Sequence, residues 1–279
     1  MSLELARVKL RGIYAIVAGA VLLLGIPLYQ SLFFSNTGYT PAVDAISKHE
    51  DFKPLLAWIS QHTGADVTSR LLFLLPLLAM TTLPGSLRRV LYPTESRAGW
   101  VMAWSGAIGF GCYALASVIG IVASISGANS YRPSSPSNSG PVAAFAGAYA
   151  WNSLLAHIIG GGLIALCILL VSLRILREQT LLPWLGLLGL AEAALLAIVA
   201  IQYSAGLKQA QTTLQPFSLV MLALWLISIG TQLAWLRALP AVTSPVHEGA
   251  GAASTNASAS SAGSIHQSAG QAPSTRTRR

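Results

Sequence analysis

Two ionisable side chains lie inside apolar segments, where they could take part in chemistry. His157 comes just before the glycines at 160–162, within the apolar run 150–173, and Glu192 lies within the run 181–204. Glu192 is the only acidic residue that lies deep inside an apolar segment. Because an ionisable group at membrane depth is costly, such a residue marks either a functional site or an internal ion pair.

Both side chains have a structural and a chemical interpretation. Glu192 can join helices as a protonated or ion-paired group, or it can titrate near neutral pH and relay protons or a solute. His157 can hydrogen-bond to a neighbouring helix, or it can ligate haem or a metal. Ligation of haem by two histidines needs a second histidine at similar depth, and no other apolar segment supplies one. We therefore expect no cofactor and no metal.

Depth along the helices gives three candidate partners for Glu192. At a rise of about 1.5 Å per residue, Arg70 and Tyr113 reach a similar height, and His157 lies several ångströms further out. These four residues form the predicted intramembrane polar cluster. Arg70 also lies four residues after Asp66, so these two side chains could instead neutralise each other on one helix face.

The motifs of common hydrolases and nucleotide-binding proteins are missing. His49-Glu50 begins like a zinc-protease helix, but Lys53 stands where the second histidine belongs. The chain has no Gly-x-Ser-x-Gly motif and no phosphate-binding loop. We therefore predict a protein that is not an enzyme and has no catalytic residues.

The composition predicts an integral membrane protein. Hydrophobic residues make up 53% of the 279 and charged residues only 9%, with a mean hydropathy of +0.61, whereas soluble domains are about 25% charged. The net charge of +8 comes from small basic clusters beside apolar runs. Such clusters set membrane topology and do not build a phosphate-binding surface, so we expect no nucleic-acid partner.

Six apolar runs predict six transmembrane helices in an all-α, polytopic domain that covers residues 1–240. The predicted helices are 12–34, 66–83, 100–126, 144–173, 181–203 and 216–236. The loop 127–141 is expected to be irregular, and 241–279 reads as a disordered tail rich in Ala, Ser and Gly.

The second helix has the least regular pattern. Its apolar run, 71–83, has 13 residues and would span only about 20 Å. It must therefore start near Asp66 and carry Arg70 into the membrane, with a kink predicted at Pro76. Before it, residues 43–62 could form an amphipathic segment on the membrane surface, with Trp58 at the interface.

The basic residues predict the orientation. Of the 17 Lys and Arg side chains, 12 fall on the side of the two termini and 5 on the other side. The positive-inside rule then places both termini in the cytoplasm of a protein of the cell membrane.

The fourth and fifth predicted helices carry short motifs. Ala156-His157 opens a glycine-rich helix that ends at Leu173-Arg174, and the segment Leu-Pro-Trp-Leu-Gly at 182–186 opens the next helix. In these motifs the chain resembles a family of bacterial six-helix membrane proteins catalogued as a domain of unknown function. The resemblance extends over 10–205 and implies the six-helix architecture, without implying an activity.

Two functional hypotheses follow from the sequence. The first is a non-enzymatic protein with a structural or accessory role, whose partners are the lipid bilayer and either further copies of itself or another membrane protein. The alternative is a small-solute or proton-coupled transporter that uses Glu192. The absence of a clear inverted repeat favours the first.

Overall fold

The structure is a computed structural model that describes residues 3–132, 138–179, 181–205 and 208–236. All regular structure in these ranges is helical. The predicted tail, 241–279, lies outside the described residues.

Eight helices follow one another along the described part of the chain. They are α1 (Leu3–Phe33), α2 (Tyr39–His49), α3 (Lys53–Met80), α4 (Leu83–Leu91), α5 (Arg97–Ser130), α6 (Ser139–Glu178), α7 (Pro183–Ser204) and α8 (Lys208–Ala234). The prediction of an irregular loop at 127–141 was wrong at both ends, since α5 extends to Ser130 and α6 already begins at Ser139.

Six helical segments are long and apolar enough to cross a membrane, which confirms the predicted number. They are α1, the pair α3 and α4, α5, α6, α7, and the part of α8 from Leu214 to Ala234. Large apolar side chains such as Leu24, Val122 and Ile201 stay exposed along them. An apolar surface of this extent is unfavourable in water and suits contact with lipid.

Two short segments depart from regular α-helical geometry. Val21–Gly25 in α1 and Leu154–Gly160 in α6 form π-helices. A π segment inside an α-helix shifts the direction of the residues that follow and is often found at functional sites. The segment in α6 contains His157, so the π geometry sets the orientation of this side chain.

Helices α1 and α8 cross at very close range. A Cβ atom on Gly12 would lie 2.7 Å from the backbone oxygen of Gly230 and 2.7 Å from the backbone nitrogen of Ala234. In the same way, a Cβ on Gly230 would lie 2.6 Å from the backbone oxygen of Gly12. Only glycine permits this approach of two backbones, as in small-residue interfaces of membrane helices.

The start of α1, α4 and the end of α6 meet at one end of the bundle, which we call the basic side. Arg11 Nη1 donates a hydrogen bond to Ser86 Oγ (2.9 Å), and Arg174 Nε donates one to the backbone oxygen of Leu91 (3.0 Å). Arg88 lies over the Trp100 ring, 3.6 Å from its centroid. The turn 92–96 belongs to this side.

At the opposite end, which we call the loop side, an aromatic core joins α1, α2 and α3. Phe34, Tyr39 and Trp58 pack with ring centroids 4.5 to 4.9 Å apart. Trp58 Nε1 also donates a hydrogen bond to Thr37 Oγ1 (2.9 Å). Trp58 is 5% exposed, so its ring packs inside the protein, and its depth at the membrane interface stays a prediction.

The same region corrects the prediction for the second helix. Residues 43–62 do not form one amphipathic segment, because α2 ends at His49 and α3 begins at Lys53. Helix α3 begins 13 residues before Asp66, but a break at His62 divides it, and Arg70 belongs to the continuous stretch after the break, which starts near Asp66 as predicted. The backbone of α3 leaves helical geometry at His62 (φ −126°, ψ 31°), whereas Pro76 lies in helical backbone. Packing in the loop-side core extends the helix through residues whose polarity suggested a loop.

Candidate functional site

We divide the polar side chains of the spanning helices into two groups. One is centred on Glu192 in α7, with His157 and Tyr113 nearby, and we call it the inner group. The other is centred on Asp66 and Arg70 in α3, and we call it the ion-pair group. The sequence predicted that Arg70 and Glu192 belong to a single cluster, and the contacts of the described residues join Arg70 to Asp66 instead.

Glu192 is completely buried between α7 and α8, with an exposure of 0%. Ser218 Oγ in α8 donates a hydrogen bond to its Oε1 atom (3.2 Å). Within the described residues, no hydrogen bond reaches the other carboxyl oxygen, Oε2. A carboxyl group with one neutral donor and no adjacent cation is costly to ionise, which favours the protonated form.

The surroundings of Glu192 are tightly packed because α7 presents glycine to its neighbours. At Gly189, one turn before Glu192, a Cβ would lie 2.2 Å from Ser172 Oγ and 2.7 Å from Trp225 Nε1. These two polar atoms are buried, and neither has a hydrogen-bond partner in the described part of the chain. Helices α6, α7 and α8 therefore pack closely at Gly189.

His157 is held by aromatic rings. Its ring stacks on Tyr203 with centroids 4.1 Å apart and an interplanar angle of 19°, and it meets Tyr113 edge-on at 6.0 Å. The side chain is 9% exposed, and among the described residues no group donates to or accepts from its Nδ1 atom. His157 and Tyr113 therefore lie close together, as predicted, and Tyr203 on α7 packs against the other side of this contact.

The described residues contain no group of three or more His, Cys, Asp or Glu side chains that could hold a metal ion. The aromatic rings around His157 offer it stacking surfaces and no further ligand. The surroundings of this histidine thus fit packing better than coordination.

The ion-pair group links α3 to α5. Arg70 Nε donates to Asp66 Oδ2 (2.7 Å), and Ser124 Oγ donates to the same oxygen (2.6 Å). The Arg70 guanidinium packs against Gly120, where a Cβ would be 2.3 Å from its Nη1 atom. The Asp66 side chain is 6% exposed and that of Arg70 is 26% exposed. Asp66 is thus nearly buried and bound through Oδ2, whereas Arg70 keeps an accessible face.

The ion pair also acts on the loop-side core above it. Burial raises the pKa of Tyr39 to about 12, and the negative charge of Asp66 adds to this shift. The phenol of Tyr39 therefore stays protonated at any physiological pH.

Two cavities lie beside the ion-pair group. The larger, of about 550 Å³, is a groove between α5 and α6 that runs from Val118 to Ser130 on one wall and from Gly140 to Ala148 on the other. The smaller, of about 10 Å³, lies against Arg70 and Gly120. Glu192 lines neither of them.

Several residues of these groups were not predicted. Ser218, Ser124 and Tyr203 were missed, as was Asn152, whose Nδ2 donates to the backbone oxygen of Ala116 (2.6 Å). Each is a polar side chain on a spanning helix, and this is the signal that could have marked it. Which helix each one faces could not be read from the sequence.

Comparison of the chain with protein-family models, with curated proteins and with solved structures gives no match.

Proposed function

We propose that this chain is a non-enzymatic integral membrane protein with a structural or accessory role, in which Glu192 holds helices together. The observation that carries the proposal is the environment of Glu192, which is 0% exposed and bonded to Ser218 on the next helix. A transport carboxylate must be reached by its cargo, whereas a carboxyl group that only joins helices is best kept dry and neutral.

The cellular setting is part of the same proposal. The 12 to 5 distribution of Lys and Arg supports termini in the cytoplasm and a location in the cell membrane. The motifs of α6 and α7 support membership of the bacterial six-helix family of unknown function. The partners would be the lipid bilayer and either a second copy of the chain or another membrane protein, bound along the exposed apolar helix faces.

Glu192→Gln tests the structural role. Glutamine keeps the size and the acceptor oxygen for Ser218 but cannot ionise, so the thermal stability in detergent should stay close to that of the wild type. The matched control is Glu95→Gln, since Glu95 is exposed in the turn between α4 and α5. A large loss of stability in Glu192→Gln alone would show that the ionised carboxylate is needed and would contradict the proposal.

A proton-coupled transporter is the second candidate, and one observation favours it. The π segment of α6 orients His157 toward Tyr113 and Tyr203, and these side chains carry dissociable protons within the bundle. Proton flux into liposomes that contain the purified protein tests this candidate. Flux above that of empty liposomes, lost in Glu192→Gln, would support transport. The structural proposal expects no flux in either protein.

A further inference from the structure

The first part of α5 presents one continuous face of exposed side chains, which begins on the basic side. Arg97, Trp100, Trp104, Ile108 and Leu115 follow one another at intervals of three, four or seven residues, so they share one side of the helix. All five are exposed, Trp104 by 59% and Ile108 by 49%. The face thus changes from a cation through two tryptophans to apolar side chains, which is the order expected from the headgroups to the hydrocarbon of one leaflet.

A second cation joins this face from α4. Arg88 lies over the Trp100 ring, 3.6 Å from its centroid, and the ring offers no oxygen as an acceptor. The Nε atom of Arg88 is buried, and no group in the described part of the chain accepts a hydrogen bond from it. Within the described residues, neither Arg88 nor Arg97 forms an ion pair, although Glu95 lies in the turn between their helices. Two unneutralised guanidinium groups therefore accompany one exposed tryptophan.

Several other arginines on the basic side already have a carboxylate. The pairs are Arg7 and Arg89 with Glu4, and Arg174 with Glu178. Arg88 and Arg97 differ from these arginines because their N–H groups remain available to an external anion. A guanidinium has five N–H donors in a planar fork, and this geometry matches the oxygens of a phosphate group.

Close packing fixes α4 against α5 before any ligand binds. A Cβ on Gly99 would lie 2.9 Å from Cγ of Tyr92, and a Cβ on Gly106 would lie 2.5 Å from Cγ of Pro84. Each glycine thus lets a ring approach the backbone of α5 directly. The backbone positions that carry the two arginines are therefore set in advance, which lowers the cost of ordering them around a ligand.

We propose that the face formed by Arg88, Arg97, Trp100 and Trp104 binds an anionic phospholipid from the leaflet on the basic side. The phosphate accepts hydrogen bonds from the two guanidinium groups, and the acyl chains lie along the apolar side chains beyond Trp104. Two positive charges favour a headgroup with a net negative charge over a zwitterionic one, which brings a cation of its own. The site rests on the proposed setting in a lipid bilayer and is independent of the role proposed for Glu192.

Native mass spectrometry of the purified full-length protein tests the preference for an anionic lipid. The probes are dioleoylphosphatidylglycerol and dioleoylphosphatidylcholine, which share their acyl chains and differ in the charge of the headgroup. Each of the two cations should favour the anionic lipid about fivefold. Soluble sn-glycerol 3-phosphate should not displace it, because it lacks the acyl chains. Equal binding of the two lipids by the wild type, or displacement by sn-glycerol 3-phosphate, would overturn the proposal.

Single substitutions locate the preference on the protein. Arg88→Gln and Arg97→Gln should each reduce it about fivefold. Arg177→Gln is the matched control and should keep it, because Arg177 is likewise exposed and without an ion pair among the described residues, but lies at the end of α6. Arg97→Gln decides the result if the half-buried Arg88 does not tolerate the change. Equal losses in Arg97→Gln and Arg177→Gln would overturn the site, since the preference would then belong to the charge of the whole basic side.

Reconstitution into nanodiscs of phosphatidylcholine tests the membrane setting separately. A wild type that enters these nanodiscs but shows no preference for phosphatidylglycerol would overturn the lipid site alone. A wild type that does not enter them would overturn the proposed setting and the lipid site together. A folded wild type in nanodiscs that prefers phosphatidylglycerol, with the preference lost in Arg97→Gln, is the expected result.

Discussion

The two acidic side chains buried within the bundle, Glu192 and Asp66, are stabilised in different ways. Asp66 has a cation and a hydroxyl donor, and both bind the same oxygen, Oδ2. Glu192 has a single hydroxyl donor from Ser218. Among the described residues, a cation contacts the Asp66 carboxyl and none contacts that of Glu192. Substitutions at the two positions should therefore have unequal costs.

Glu192→Leu should cost about 1 kcal/mol, because it removes one neutral hydrogen bond and leaves no cation unpaired. Asp66→Asn should cost about 2 kcal/mol, since it leaves the Arg70 cation without its counter-ion in a half-buried position. Thermal unfolding of both variants in the same detergent measures the difference. A greater loss for Glu192→Leu than for Asp66→Asn would show that the cation is shared with Glu192 after all.

Tyr39 gives a pH-dependent prediction. Because burial and Asp66 raise its pKa from 10.0 to about 12, the folded protein keeps the phenolic proton where the unfolded chain has lost it. The contribution of Tyr39 to the free energy of unfolding is therefore at its full value below pH 10, and it decreases as the pH rises from 10 toward 12. Tyr39→Phe keeps the ring packing against Phe34 and Trp58 and should lose less stability over this interval. Melting temperatures of both proteins across the interval provide the test, and parallel curves would contradict it.

At the scale of helices, the sequence predicted the spanning helices, which depend on long apolar runs. It missed features that depend on contacts between helices. Apolar runs of about 20 residues or more located five of the six spanning helices, because hydrocarbon thickness fixes their length. The i, i+4 spacing of Asp66 and Arg70 left their pairing open, and the structure forms that pair. The start of α3 at Lys53 was missed, because it is stabilised by tertiary packing of Trp58. The hydrogen bond from Ser218 to Glu192 joins two different helices, so no local sequence pattern predicts it.

The close crossing of α1 and α8 yields a prediction at this scale. Gly12→Ala should destabilise the protein by about 1 to 3 kcal/mol, since the new methyl group meets backbone atoms at 2.7 Å and the helices must separate. The control is Gly111→Ala on α5, where a Cβ would meet no atom within 4 Å. That change should be neutral or slightly stabilising, because alanine favours helix over glycine. Thermal unfolding in detergent measures both, and equal stability of the two variants would refute the crossing.

At the scale of the whole molecule, successive spans place the connecting segments alternately on the two sides of the membrane. Because the number of spans is even, both ends of the spanning domain lie on the same side. The basic side gathers Arg11, Arg88 and Arg174, where they bind serine, tryptophan and backbone partners. The loop side is stabilised by an aromatic core instead. This division supports the proposed orientation, because lysine and arginine are retained on the cytoplasmic side of short loops. The structural role and the site of Glu192 both presuppose six spans.

Cysteine labelling in intact cells tests this topology most directly. On a background with Cys112 and Cys167 replaced by alanine, single cysteines are placed at Thr40, between the first two spans, and at Ser274, in the C-terminal tail. An impermeant maleimide should label Thr40→Cys in intact cells, and it should label Ser274→Cys only after the membrane is permeabilised. Labelling of Ser274→Cys in intact cells, or protection of Thr40→Cys until permeabilisation, would contradict six spans with both termini in the cytoplasm.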